Sequence, residues 1–83
     1  MNAQVDVVVN LSMLARIVAE RIGRDRIPAA TLTRWRLAAL IPSDKREFDQ
    51  RDVEKLVFIG KYLDTDRSLE RAEQALIKYL EQQ

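Results

Sequence analysis

The stretch Thr31-Leu32-Thr33-Arg34-Trp35-Arg36-Leu37-Ala38-Ala39-Leu40-Ile41-Pro42 decides how this chain is read. At about 100° per residue, a helix here puts Leu32, Trp35 and Ala39 on one side and Ala30, Thr33, Arg34 and Leu37 on the other. The first set is a core side and the second faces solvent. Arg34 points roughly 160–200° away from Leu32, so it is free to reach base edges or phosphates of a duplex. Arg36 lies about 40° from Leu32, at the margin, which suits backbone phosphate better than bases. Trp35 reads as a core anchor with one exposed edge, and its indole N–H is a further phosphate donor. The hydroxyl of Thr33 can read a base edge. For Thr33, Arg34 and Arg36 the plain alternative is ordinary solvated surface.

Upstream, Pro28 fits a helix start because its missing N–H has no partner to lose there. Leu11, Leu14, Ala15, Val18, Ala19 and Ile22 recur at helical spacing behind Asn10 or Ser12, either of which caps free N–H groups. That helix ends near Gly23, where a left-handed residue costs least. Arg16, Glu20 and Arg24 stand four apart and can pair along another face. Val5-Asp6-Val7-Val8-Val9 is β-branched, so residues 1–10 read as a short strand or extended arm.

Downstream, Pro42-Ser43-Asp44-Lys45 is turn chemistry, and Arg46-Glu47-Phe48 returns as a second strand. Lys45 and Arg46 then sit at the tip of a small hairpin, where cations meet a phosphate backbone, although turn tips are polar in any protein. Asp49 opens a third helix with Asp52 at its positive end. Its stripe is Val53, Leu56, Val57, Gly60 and Leu63, widened by Phe58, Ile59 and Tyr62, which makes it central. Residues 64–67 read as a loop, in which Asp64 and Asp66 serve the turn and the next helix start rather than catalysis or calcium binding. Ser68 caps a fourth helix striped with Leu69, Ala72, Ala75, Leu76, Tyr79 and Leu80. It either closes the core or offers a partner surface. The expected architecture is mostly α: a winged helix-turn-helix of four helices, with a small β-hairpin wing and a possible short N-terminal strand. It occupies residues 1–83 as one domain.

Composition narrows function by exclusion. A chain of 83 residues has room for one small core. It has no Cys and no His, so the usual thiolate, general base and zinc ligands are missing. With two Gly it writes no Gly-rich phosphate loop. No enzyme activity, cofactor or metal is expected. No apolar run approaches the roughly 20 residues of a membrane helix, and the N-terminus does not read as a signal peptide, so a cytoplasmic protein is the default expectation. The net charge of +1 conceals an asymmetry. Residues 16–46 hold eight bases against three acids, and residues 47–83 hold six bases against nine acids. A basic half joined to an acidic half suits an asymmetric polyanion binder, or arises from chance clustering on a solvated surface.

The stretch 31–42 resembles the second helix and wing approach of MerR-type transcriptional regulators, a pattern that excisionase-like DNA-binding domains share in part. Arg46-Glu47-Phe48-Asp49-Gln50-Arg51-Asp52-Val53-Glu54-Lys55-Leu56-Val57-Phe58-Ile59 resembles the wing and third helix of that family, and Ser68-Leu69-Glu70 falls at its fourth helix. The resemblance spans residues 13–80. It implies a helix in the major groove and a wing along the backbone, with Thr33, Arg34, Trp35, Arg36, Lys45 and Arg46 as the DNA-binding set. The family's usual Arg, two aromatics and an acid are replaced here by Thr33, Arg34, Trp35 and Arg36. Ala39 stands for its usual Gly, and Phe48 for its wing Tyr. The segment from Gly23 to Thr31 is longer than in typical members. The long dimerisation helix and effector domain are not expected, nor is a small-molecule effector.

The resemblance therefore implies sequence-specific binding to double-stranded DNA by a small regulator that represses by occupying its site. A homodimer through the fourth helix or the N-terminal strand is the physical expectation for tight binding. One alternative is an excisionase-like factor of a mobile element that bends DNA. Another is a protein-interaction module that uses the C-terminal helix.

Overall fold

The computed structural model describes residues 8–83. Most of the expected N-terminal strand, and residues 1–7 of the arm, therefore lie outside the described residues. The chain is mostly helical, in the order α1 (Leu11–Ile22), α2 (Ala29–Ala38), α3 (Gln50–Thr65) and α4 (Leu69–Glu81).

Each boundary has a local cause. The Asn10 side chain accepts from the Met13 N–H at 2.9 Å and starts α1. Gly23 ends it at φ 78°, and the Arg24 N–H closes back on the Ala19 carbonyl at 2.8 Å. That six-residue closure needs a left-handed residue, which Gly supplies without strain. Pro28 stands just before α2, at its cap rather than within its first turn. The Asp49 carboxylate accepts from Arg51 and Asp52, while Asp52 accepts from the Asp49 N–H, a reciprocal box that satisfies the free donors of α3. α3 runs through Asp64 to Thr65, so the expected loop begins two residues late. The Ser68 hydroxyl accepts from Arg71 and starts α4.

Helix α3 packs against all three other helices, and α2 also touches α4. The core is built on Leu14, Val18, Phe48, Leu56, Ile59 and Leu76, all fully buried. The close approach of α2 to α3 depends on Gly60. A Cβ there would stand 2.9 Å from Ile22 Cδ1 and 3.0 Å from Trp35 Cζ3. The indole therefore lies directly on helix backbone. The expected pairing of Arg16, Glu20 and Arg24 along α1 is replaced by pairs between helices, Arg21 with Glu54 at 3.0 Å and Arg24 with Asp64 at 3.6 Å.

The expected hairpin does not form. Among the described residues the single β-bridge is antiparallel and joins Phe48 to Val9, not to the outgoing segment 40–41. The reason lies in Arg36. Its Nη2 donates to the carbonyls of Pro42, Ser43 and Lys45 at 3.0, 3.2 and 3.0 Å, while its guanidinium lies over the Phe48 ring. Three carbonyls of the expected turn are thus drawn in toward one side chain, and Pro42 has no N–H to offer a ladder. The Lys45 N–H turns back to the Pro42 carbonyl at 3.1 Å. Segment 40–48 is a loop wound around an arginine.

Candidate nucleic-acid interface

The face that α2 turns away from the core consists of Ala29, Ala30, Thr33, Arg34 and Leu37, all exposed. The helix carries no acidic residue. Its apolar residues are spread around the cylinder rather than confined to the buried side. Leu37 is the most exposed large hydrophobic among the described residues, at 61%. The Thr33 hydroxyl donates to the Ala29 carbonyl at 3.0 Å, one turn back. Its proton is therefore spent within the helix, and its methyl group and a lone pair are what a partner would meet.

The six residues expected to bind DNA divide into two groups. Thr33, Arg34 and Arg46 are exposed, and neither arginine is in an ion pair among the described residues. Lys45 is half-buried and holds the Asp52 carboxylate at 2.7 Å. That hydrogen bond raises the Lys45 ammonium above its ordinary 10.5, so its charge is partly neutralised where it stands.

Trp35 and Arg36 are the buried members of the set. Trp35 is only 4% exposed, wedged against Gly60 with the Arg24 guanidinium over its ring at 5.2 Å. Only one edge of the indole reaches the surface, in the depression it shares with Arg24, Thr31 and Arg67. Arg36 is 9% exposed, and its guanidinium is committed to the loop carbonyls rather than turned outward. Its Nε is buried without a partner, the cost of holding the loop with one charged fork. The offset of about 40° from Leu32 puts Arg36 at the margin of the core side, and the structure has it buried there. The sequence carried no sign that the following loop would fold over it.

Two depressions flank the α2 face. One, of about 190 Å³, is lined by Arg34, Leu37 and Ala38 on α2 and by Leu69, Glu70 and Glu73 on α4. It puts two carboxylates opposite Arg34. The other, of about 320 Å³, gathers Arg24, Thr31, the Trp35 edge, Leu63, Asp64 and Arg67 at the other end of α2. A separate groove of about 630 Å³ runs between α3 and α4, with Leu76, Tyr79 and Leu80 facing Arg51, Glu54 and Lys55. Among the described residues no group of three or more His, Cys, Asp and Glu stands close enough to hold a metal ion. No described helix is long and apolar enough to cross a membrane. Comparison of the chain with protein-family models, with curated proteins and with solved structures finds no match.

Proposed function

We propose that this chain is a sequence-specific double-stranded DNA-binding protein of the winged helix-turn-helix kind, MerR-like in plan. In this reading it is a small transcriptional regulator that represses by occupying its site. Helix α2 enters the major groove, and the Arg36-held loop, in place of a hairpin wing, brings Arg46 to the flanking backbone. One observation carries the reading: α2 has an exposed, acid-free face with Arg34 at its centre that the fold does not use. An α-helix with its side chains is about 10–12 Å across, which a major groove roughly 12 Å wide admits, and the 10 residues of α2 give it about 15 Å of length to lay along that groove.

Binding to labelled duplex at rising salt tests this. The chain's own upstream DNA should bind at least about a thousandfold tighter than random duplex, with affinity falling steeply as salt rises. Arg34→Ala should remove most of that preference. Equal, weak binding to both duplexes would overturn the reading. A second reading rests on the α3–α4 groove, whose apolar floor suits a second copy of the chain or another protein. As a dimer interface it would serve the first reading, since two copies on paired half-sites double the contacts.

A further inference from the structure

The exposed face of α2 is unusual for a polyanion-binding helix. Only Arg34 is charged; Ala29, Ala30 and Leu37 are apolar, and the hydroxyl proton of Thr33 is already donated to Ala29. Hydrogen-bond readout of several bases is therefore not available to this surface. Apolar readout is. In the major groove the one apolar feature of a base pair is the thymine 5-methyl group. We propose, resting on the DNA-binding reading above, that Leu37 is a specificity-determining residue that recognises thymine methyls. The Thr33 methyl extends the same strip one turn toward the N-terminus of α2. Arg34 beside them supplies the single polar contact, to a guanine edge or a phosphate.

Three features favour this occupant over a protein. Helix α2 has no acid to attract a basic partner, and Arg34 and Arg46 supply positive charge on and after it. Leu37 lies one turn beyond Thr33, so the two apolar groups are about 6 Å apart along the axis. Consecutive base pairs stack at 3.4 Å, so that spacing matches pairs two steps apart. Glu70 and Glu73 border the Leu37 depression on the α4 side and keep the phosphate backbone to the other side of α2. The site is therefore expected to contain thymines at two positions on either side of a contact made by Arg34.

The test uses the full chain. The tightest duplex from a random 20-base-pair pool is resynthesised with deoxyuridine in place of thymine, which removes the methyl and preserves pairing. Wild type should lose roughly three- to fivefold in affinity for each contacted methyl. Leu37→Ala, at an exposed position, should bind the thymine duplex more weakly and lose the part of the discrimination against deoxyuridine that Leu37 supplies, keeping only the part due to Thr33. Arg34→Ala should weaken both and keep the ratio. Selection of a duplex that wild type binds equally with thymine or deoxyuridine would overturn methyl readout while leaving DNA binding intact. Failure to select any duplex would overturn both, and α2 would then be a protein-facing surface.

Discussion

Leu40 is the clearest case of a residue working against its own backbone. It sits at φ 62°, in the left-handed region, as the chain leaves α2. The Ile41 N–H closes back on the Arg36 carbonyl at 3.0 Å, the same closure that Gly23 makes for α1. An L-residue with a side chain pays roughly 1–2 kcal/mol there, and Leu40 recovers little by burial because it is 43% exposed. Leu40→Gly should therefore stabilise the fold by about 1 kcal/mol and raise Tm by roughly 5 °C in a thermal melt. An unchanged or lower Tm would mean that the leucine side chain holds the turn in a way its exposure does not suggest. Arg36 is the opposite case, a costly residue that the fold requires. Arg36→Met keeps the bulk but orphans the loop carbonyls, and should cost about 2 kcal/mol, or roughly 10 °C in Tm. If the melt is unchanged, those three hydrogen bonds are exchanged for water at no cost and do not explain why the hairpin is missing.

At the scale of elements, what could be read early was whatever depends on neighbours in sequence. Asn10, Gly23, Asp49 and Ser68 mark their helix ends because a cap acts over three or four residues. The core side of α2 followed from helical angle alone, and Leu32, Trp35 and Ala39 are all buried. The absence of the hairpin is not legible in local sequence, because it depends on where Arg36 points and on Val9 arriving from the N-terminal side of α1. The same gap separates the exposed Arg34 from the buried Arg36, since pattern places a residue on a face but not the loop that covers it.

The junction of α3 and α4 carries a pH signature that belongs to this scale. Asp66 is held by Arg71 at 2.7 and 2.8 Å and accepts from the Ser68 N–H and the Tyr62 hydroxyl. Arg71 chiefly, then these hydrogen bonds, take its carboxyl from 3.8 down to about 2. Because the folded value is the lower one, the stabilisation is complete above about pH 4 and is lost as pH falls toward 2. Asp66→Asn should weaken the fold at neutral pH and flatten its stability between pH 4 and 2 relative to wild type. Glu54, lowered by Arg21, and Asp49, lowered by the Asp52 N–H, contribute to the same acid limb and remain in that variant. Parallel wild-type and Asp66→Asn curves across the window would show that the pair with Arg71 does not act on stability.

For the whole molecule, DNA binding as proposed raises the question of how an almost neutral chain would hold a polyanion. At 38 × 30 × 26 Å one copy has the length of about one turn of duplex and, in that proposal, would cover one half-site. Its paired cations are largely spent on the fold: Arg21, Arg24 and Arg71 hold carboxylates, Lys45 holds Asp52, and Arg36 is buried. Nine of the 14 cations stand outside these contacts among the described residues, so in the DNA-binding reading the attraction would come from them, with the acids of α4 opposing it. Glu70 and Glu73 line the depression that Arg34 borders without forming an ion pair with it. A carboxylate about one Debye length (roughly 8 Å) from a phosphate would cost about 0.5 kcal/mol in water, and less as added salt screens it. The double variant Glu70→Gln with Glu73→Gln should therefore bind duplex about three- to fivefold tighter at low salt, with the gain fading at several hundred millimolar salt. The gain should be shared by specific and random duplex, because repulsion of a backbone carries no sequence information. A variant that binds more weakly would reverse the assignment. The two acids would then be ordering Arg34 toward the bases, and the loss should fall on the specific duplex alone.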